Sequence, residues 1–199
     1  SWTSSVTAGS LSGVSANGTG TINDILVNSS NAVATVQYTI TPVAKGCSGT
    51  AAVLTVNVDP RPVIVSAPVA ETVCSGTATS LVISSPTTPS GTGTVVYDYT
   101  AVGSDAGVTG FTASATNVAL GTIAQTLSNS TSVTQTVTYT LTPHTSGANP
   151  AASCSGNALI IVVSVSPVPS AATPASQVVC NGASVTAINF SGVATSYDW

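Results

Sequence analysis

Few side chains in this sequence are able to do acid–base or nucleophilic chemistry, and they are scattered along the chain. A Ser-His-Asp arrangement needs its members within hydrogen-bond reach, and no Gly-x-Ser-x-Gly motif marks a nucleophile. His144 is the single histidine, and we expect it to be a solvated loop residue. The carboxylates are Asp24, Asp59, Glu71, Asp98, Asp105 and Asp198. The sequence therefore predicts a protein that is not an enzyme.

The same carboxylates are a poor set of metal ligands. A calcium site needs six to eight oxygen ligands, usually including several carboxylates. Asp98 and Asp105 are near one another in the sequence, but there is no Asp-x-Asp cluster. Asp98 stands between Tyr97 and Tyr99, so we expect it to point outward from a strand. We therefore expect no cofactor, and the sequence lends no support to a calcium site.

The composition excludes two further classes of function. Ser and Thr make 62 of the 199 residues (30 and 32), Val adds 29, and only 4% of the residues are charged. Lys45 and Arg61 are the two basic residues, too few to neutralise a row of phosphates, so nucleic acid is excluded as a partner. There is no run of 18 apolar residues, so we expect no membrane insertion. The many β-branched residues predict an all-β protein.

The ends of the sequence suggest an internal segment of a larger extracellular protein. The chain starts at Ser1 without a methionine or a signal peptide, and it stops at Trp199 in a strand-like stretch. Four cysteines in a chain with so little charge indicate an oxidising compartment.

The chain contains an internal repeat with a period of about 100 residues. Residues 20–42 align without a gap with residues 121–143, at an offset of 101 and with 12 identical residues in 23. A period of this length fits one β-sandwich for each repeat. Shorter matches are Cys47-Ser48-Gly49 with Cys154-Ser155-Gly156, Pro60-Arg61-Pro62 with Pro167-Val168-Pro169, Val73-Cys74-Ser75-Gly76 with Val179-Cys180-Asn181-Gly182, and Tyr97-Asp98-Tyr99 with Tyr197-Asp198-Trp199, with Trp2 at the position of Tyr99.

Pro-x-Pro pairs mark where one repeat ends and the next begins. Each pair follows a strand-like run, and proline at that place denies a donor to the sheet and fixes an extended backbone. The sequence therefore predicts the C-terminal part of one sandwich at residues 1–59, a complete sandwich at 60–167 and the start of a third at 168–199. The linker prolines are Pro60, Pro62, Pro167 and Pro169, and we expect them to stiffen the joints between domains.

Alternating residues predict the buried faces of the strands. Val36, Tyr38 and Ile40 alternate with polar residues, and the pattern recurs at residues 137–141 and 95–99. An immunoglobulin-like sandwich buries an aromatic ring on its strand C. The predicted core aromatics are Trp2, Tyr38, Tyr99, Tyr139 and Trp199. If the rings at positions 2, 99 and 199 were exposed, they would instead offer a platform for stacking a sugar.

The cysteines stand at equivalent places in the repeats, each directly before a Ser-Gly or Asn-Gly pair. Sequence neighbours would join Cys47 to Cys74 and Cys154 to Cys180, whereas a bond within the complete domain would join Cys74 to Cys154. Immunoglobulin topology argues against both, because the turns near Cys74 and Cys154 would lie at opposite poles. A bond between adjacent domains, with partners outside this sequence, is the third option. The four cysteines are candidates for structural disulfides, with the pairing open.

Four asparagines begin Asn-x-Ser/Thr sequences. Because 62 of the 199 residues are Ser or Thr, such matches arise by chance and predict little. They are Asn17, Asn28, Asn129 and Asn189.

The motifs follow one another in the same order in each repeat. An aromatic on strand C is followed by Gly-Thr-Ile-x-x-x-Leu-x-Asn, Thr-Val-x-Tyr-Thr-Ile/Leu-Thr-Pro, Cys-Ser-Gly, Val-x-Val-x-Pro-x-Pro and Val-Cys-Ser/Asn-Gly. This string resembles the PKD-like, immunoglobulin-like repeats of Bacteroidota surface proteins, among them the giant gliding-motility adhesin exported by type IX secretion. The resemblance covers the whole chain. It implies tandem sandwiches in a surface adhesin or filament stalk attached to the outer membrane.

Two functions from different classes remain. The first is structural: a stalk or filament that serves gliding motility or attachment, with neighbouring repeats, a surface polysaccharide or an abiotic surface, and the motility or secretion machinery as partners. Low charge, Thr-rich outer faces and proline-stiffened linkers favour it. The second is a carbohydrate-binding module with a platform made by Tyr99, Trp199 or Phe111. Exposure of these rings separates the two hypotheses.

Overall fold

The computed structural model describes residues 1–147 and 154–198, and in this part of the chain all the regular structure is β-strand. Apolar residues alternate with Thr and Ser along the long strands, a pattern that suits a pleated sheet with one buried face. The all-β fold class predicted from the sequence is therefore confirmed.

Residues 1–58 form one open sheet with short strands around it. The strands are β1 (Trp2–Ala8), β2 (Leu11–Ser12), β3 (Asn17–Gly18), β4 (Val27–Asn28), β5 (Ala34–Ile40), β6 (Val43–Ala44), β7 (Cys47–Ser48) and β8 (Ala52–Val58). The sheet has the order β3-β1-β5-β8, and every neighbouring pair in it is antiparallel. Two short antiparallel pairs, β2 with β4 and β6 with β7, flank the sheet.

Residues 65–166 form a sandwich of two sheets. The strands are β9 (Val65–Ala67), β10 (Ala70–Cys74), β11 (Thr77–Ala78), β12 (Leu81–Ser84), β13 (Thr94–Gly103), β14 (Val108–Thr109), β15 (Ser114–Ala119), β16 (Gly121–Ile123), β17 (Thr126–Asn129), β18 (Gln135–Ser146) and β19 (Leu159–Ser166). The larger sheet has the order β10-β19-β18-β13-β15 and the smaller one β16-β12-β9. A third short sheet, β11-β17-β14, continues the smaller one, because Thr77 pairs with Leu127 in the same register as Leu81 with Ile123. The parallel pair β10–β19 beside antiparallel neighbours is the pattern of an immunoglobulin-like sandwich.

The core fills the space between the two sheets of this sandwich. Tyr139 and Leu141 on β18 alternate with threonines, so their side chains share the inner face. Leu81 and Ile83 on β12 approach from the smaller sheet, and all four side chains are almost fully buried in one cluster. The burial of alternate residues from both sheets is what holds the sandwich together.

The repeat seen in the sequence recurs in the strand register. Trp2 lies opposite Ile40 in the first sheet, and Tyr99 lies opposite Leu141 in the sandwich. Further equivalent pairs are Tyr38 with Leu54 and Tyr139 with Ile161, and Leu11 with Asn28 and Val108 with Asn129. The first 58 residues therefore repeat the strands β13 to β19 other than β16, including their register.

Residues 168–198 contain no strand in the described part of the chain. A strand was predicted at residues 197–199, and that prediction is wrong for Tyr197 and Asp198. Their equivalents Tyr97 and Asp98 pair with β18, and the described residues give Tyr197 and Asp198 no partner strand of this kind. A turn does recur, because Gly182 and Gly76 have φ of +83° and +88° after equivalent cysteines. The division into domains at residues 60 and 168 stays a prediction.

Candidate functional site

Residues 154–156 form a short extension of the larger sheet, which we call the Cys-Ser-Gly edge. The N–H of Thr145 donates to the Cys154 carbonyl at 3.0 Å, and the N–H of Gly156 donates to the Pro143 carbonyl at 2.8 Å. In the first repeat the N–H of Gly49 donates to the Pro42 carbonyl at 2.9 Å in the same way. The edge is therefore a feature of both repeats.

The linker between β8 and β9 packs against this edge. Pro60 and Pro62 are both buried. The Nε of Arg61 donates to the Ser155 carbonyl at 3.1 Å. A Cβ on Gly156 would overlap the Pro62 carbonyl oxygen, so the linker lies there only because residue 156 is glycine. The Cys-Ser-Gly and Pro-x-Pro motifs are thus two halves of one contact.

Hydrogen bonds cross the boundary between residues 1–58 and the sandwich. The carboxylate of Asp59 accepts bonds from the N–H and the hydroxyl of Ser90, at 2.8 and 3.0 Å. The N–H of Thr88 donates to the Asn31 carbonyl at 2.8 Å, and Thr88 forms a parallel bridge with Ala32. The loop between β4 and β5 therefore meets the loop between β12 and β13, as in sandwiches joined end to end.

The second boundary uses equivalent segments with fewer contacts. Pro167 is half-buried and Pro169 is exposed. The N–H of Ser170 donates to the Val193 carbonyl at 2.8 Å. One open pocket lies between the β11 turn, the loop after β17, the linker and the third segment. Its lining residues include Ser75, Asn129, Val168, Ser170 and Val193. The same pole of the repeat thus faces its successor at both boundaries.

The aromatic residues on the central strands are core residues. Trp2 and Tyr99 are each 7% exposed, and Tyr38 and Tyr139 are fully buried. Trp2 packs edge-on against Tyr38, with ring centroids 5.7 Å apart. Phe111 is partly buried against the core, and Trp199 lies outside the described residues. These four buried rings leave no open face on which a sugar would stack.

Each buried tyrosine of strands β5 and β18 is tied to a polar residue at the same repeat position. The hydroxyl of Tyr38 donates to Asp24 at 2.7 Å, and the hydroxyl of Tyr139 donates to Gln125 at 2.8 Å. A backbone N–H reaches each acceptor too, from Ser15 to Asp24 and from Thr112 to Gln125.

Both buried tyrosines and Asp24 have shifted pKa values, for different reasons in the two repeats. Hydrogen bonds from the Ser15 hydroxyl, the Tyr38 hydroxyl and the Ser15 N–H hold the pKa of Asp24 below its ordinary value. Burial, helped by the hydrogen bond to Asp24, raises the pKa of Tyr38 to about 12. Burial, followed by the influence of Tyr99, raises the pKa of Tyr139 to about 12. The network in the first repeat therefore carries a negative charge that the second lacks.

Two asparagines dismissed as chance matches hold the loop that faces the next repeat. Asn129 is 3% exposed, and its amide donates to the carbonyls of Val133 and Val165 at 2.8 Å each. Its oxygen accepts bonds from the N–H and hydroxyl of Thr131. Asn28 makes the same four bonds in the first repeat. The identical position in both copies was the available sequence evidence for this role.

The prediction that His144 is a solvated loop residue is wrong, because it lies on strand β18 with 16% of its side chain exposed, in a polar cluster on the outer face of the sandwich. Its Nε2 lies 3.0 Å from the Asn117 side-chain oxygen, and its Nδ1 lies 3.9 Å from Asp98. Asp98 accepts the Asn117 N–H at 2.8 Å, where φ of Asn117 is +53°. The cluster fastens an irregularity in the pairing of β13 with β15. Among the residues described, no group of three His, Cys, Asp or Glu side chains is placed to hold a metal ion.

Cys74 and Cys154 lie at opposite poles of the sandwich, and none of the four cysteines is in a disulfide. Cys74 pairs with Ser166 at the end of β19, beside residue 135 of β18. Cys154 lies beside Thr145, ten residues along β18, which is about 33 Å away. A bond between Cys74 and Cys154 of one repeat is therefore sterically excluded.

The sequence-neighbour pairs are excluded by the same geometry. Cys47 pairs with Ala44 at the end of the first repeat opposite the linker, which leaves from Val58. Cys74 lies beyond the far end of the second repeat, so a bond to Cys47 would have to span two domains. Cys154 and Cys180 are likewise separated by the length of the sandwich, because Cys180 follows β19 and the second linker. The thiols of Cys47, Cys74 and Cys180 are exposed.

The fold and the repeated strand register define a class of β-sandwich modules arranged in tandem. The family model described as "PKD-like domain" matches residues 1–62 and again residues 71–169. The chain belongs to this family of PKD-like domains, whose members are in general non-catalytic and extracellular. No curated protein and no solved structure matches the chain. The described residues include no helix long and apolar enough to cross a membrane.

Proposed function

We propose that this chain is a load-bearing segment of a large, repetitive adhesin or filament on the cell surface. The observation that carries the proposal is the joint at residues 59–62. Two buried prolines, the Asp59–Ser90 bonds and the Thr88–Asn31 bond act at one boundary. A joint with so many fixed points favours one angle between neighbouring domains, as a rod under tension requires.

The surface chemistry supports a structural role over recognition of a charged ligand. The net charge is −4, with Lys45 and Arg61 as the two basic residues. The outer faces carry Thr and Ser between the buried positions, so contact with a polysaccharide or an abiotic surface would rest on hydrogen bonds and apolar patches. Adhesion by such a surface depends only weakly on salt.

The resemblance to Bacteroidota surface repeats extends the proposal to a place in the cell. It points to export by type IX secretion, attachment at the outer membrane and a role in gliding motility or surface attachment. The partners would then be neighbouring repeats, the motility or secretion machinery and the surface over which the cell moves.

The shape of a longer array tests the rod. Two full chains are fused so that Trp199 of the first is followed by Thr3 of the second, which puts Trp199 in the place of Trp2. Small-angle scattering is then expected to show an elongated particle that gains about 40 Å for each repeat, the length of the 12-residue strand β18. A matched fusion with Gly-Ser-Gly-Ser inserted after Asp59 of the second copy is expected to bend freely.

The result separates the two kinds of function. A compact particle, or a distance distribution as broad as that of the Gly-Ser variant, would overturn the rod. Beads coated with the fusion test adhesion to glass and to polysaccharide at low and moderate ionic strength. Binding to one soluble sugar by an otherwise flexible chain would favour the carbohydrate-binding module instead.

A further inference from the structure

We propose that a disulfide staples each pair of successive repeats, joining the cysteine before the β11 turn of one repeat to the cysteine of the Cys-Ser-Gly edge in the next. The inference rests on the proposed array and names the covalent contact that would lock its joints. Cys74 and Cys180 are the cysteines before the β11 turn and its equivalent. Cys47 and Cys154 are the cysteines of the Cys-Ser-Gly edges.

The length of the sandwiches excludes bonds between neighbouring cysteines of one chain. Each neighbouring pair within the chain is kept apart by the length of at least one sandwich. All four cysteines nevertheless occupy two repeated positions beside tight turns, and three of the thiols are exposed. A disulfide at these positions would therefore take its partner from the repeat before or the repeat after.

The two kinds of cysteine both lie beside the same position of the linker. Ser155, next to Cys154, touches the linker that enters its own repeat, through the bond from Arg61. Val168 takes the place of Arg61 in the next linker, and it lines one pocket with Ser75, the neighbour of Cys74. This linker position therefore lies between two cysteines. The preceding repeat supplies the cysteine before the β11 turn, and the following repeat supplies the cysteine of the Cys-Ser-Gly edge. This packing brings both kinds of cysteine to the same joint, where a disulfide needs Cα atoms 4.4–6.8 Å apart.

The chemistry is an ordinary thiol–disulfide exchange. A thiolate of one cysteine attacks an oxidised small-molecule disulfide and releases one thiol, and the second cysteine then displaces the other. The two cysteines together lose two electrons and two protons, and the small disulfide is reduced to two thiols. Such a bond suits the oxidising compartment that the extracellular family implies.

The fusion of two full chains described above provides the test, because it contains two complete joints of the required kind. The monomeric fusion is treated with oxidised glutathione, its free thiols are alkylated without reductant, and its peptides are mapped by mass spectrometry. We expect bonds from Cys74 of the first copy to Cys47 of the second, and from Cys180 of the first copy to Cys154 of the second. The other four thiols are expected to be alkylated.

A matched variant checks the pairing one joint at a time. Cys74→Ser in the first copy is expected to free Cys47 of the second copy and to leave the other bond intact. Alkylation of all eight cysteines, or any other pairing, would overturn the staple. If the fusion still scatters as a rod in that case, the proposed function stands without the disulfide, whereas a flexible fusion would remove the function as well.

Discussion

The two boundaries of this chain are built from equivalent residues but are closed to different degrees. At the first, Pro62 is buried under the Cys-Ser-Gly edge at residues 154–156. At the second, the equivalent Pro169 is exposed, and no Cys-Ser-Gly edge lies against it among the described residues. Asp59, which bonds Ser90 at the first boundary, is replaced by Ser166 at the second.

The same contrast holds for the inner faces of the two large sheets. Ile161 on β19 is fully buried, whereas Leu54 at the equivalent place on β8 is 47% exposed. The difference is the smaller sheet, since β9 and β12 cover the inner face of the sandwich, whereas the described part of the chain holds no such cover for residues 1–58. The register of a repeat is therefore local, but its burial depends on segments far away in the sequence. The linker prolines are not sufficient to fix a boundary. The linker is buried only where the Cys-Ser-Gly edge of the next domain packs against it.

The largest effect should come from truncating the covered position. Ile161→Ala removes a fully buried side chain between two sheets, and we expect the free energy of unfolding of the sandwich to fall by about 2–5 kcal/mol. Leu54→Ala at the equivalent position should cost less than about 1 kcal/mol, because nearly half of that side chain is already in water. Denaturant unfolding, monitored by hydrogen exchange of the amides in β18 and in β5, measures the loss of stability separately in the sandwich and in residues 1–58. Equal losses at both positions would contradict the difference in burial.

A smaller effect is expected from a methyl group at the glycine under the linker. Gly156→Ala puts a Cβ onto the Pro62 carbonyl and close to the Pro143 ring, so the linker must shift, at a cost of about 1–3 kcal/mol. The matched control is Gly49→Ala, where the added Cβ would meet the Pro42 ring at 3.0 Å and no linker. Faster hydrogen exchange at Val63 in the first variant alone would report the displaced linker. A Gly156→Ala protein as stable as the control would show that the linker is not docked.

Local patterns were enough to predict the long strands. The alternation in Val36 and Tyr38 and in Val137 and Tyr139 follows directly from burial on one face of a pleated strand, and β5 and β18 lie there. Leu54 lies opposite the buried Tyr38 on the inner face, but the exposure of that face was beyond the reach of a strand pattern. Whether the inner face is buried depends on a second sheet, which in the sandwich is β16-β12-β9.

The polar contacts were harder to predict, for two different reasons. Asn28 and Asn129 were recognisable in principle, because an asparagine that recurs at one position in both copies is a candidate for a structural role. The Asp59–Ser90 bonds were not recognisable, because Ser166 replaces Asp59 in the second copy and the partners lie in different domains. Repeats expose what both copies share, and contacts unique to one boundary stay hidden.

Removing that unique contact should change the joint more than the stability. Asp59→Ala deletes both bonds to Ser90, which are partly exposed, so we expect a loss of about 1 kcal/mol or less. The angle between residues 1–58 and the sandwich should become variable, as measured by spin-label distances across the boundary. Ser166→Ala at the second boundary is the matched control and should leave that distribution unchanged. An unaltered distribution in Asp59→Ala would assign the joint to the prolines and the docked edge.

The smallest effect we expect is a dependence on acid that only the first repeat shows. Asp24 has a pKa held below its ordinary value in the folded protein, so it stabilises the fold above its unfolded pKa of about 4. That contribution is lost as the pH falls below this value and through the folded pKa. Gln125, which accepts the equivalent tyrosine hydroxyl, does not titrate. Residues 1–58 should therefore lose stability below about pH 4 through a group that the sandwich lacks.

Asp24→Asn distinguishes this carboxylate from the rest of the protein. The amide keeps an acceptor for Tyr38 but cannot be protonated in this range, so the extra acid sensitivity of Trp2 fluorescence, read in a Trp199→Phe background, should disappear. Alkali provides the opposite control: Tyr38 and Tyr139 both have a pKa raised to about 12, so both repeats should lose stability as the pH rises from about 10 towards 12. If Asp24→Asn left the acid response of the first repeat unchanged, the charged network would have no part in its stability, and the difference between Asp24 and Gln125 would be one of composition alone.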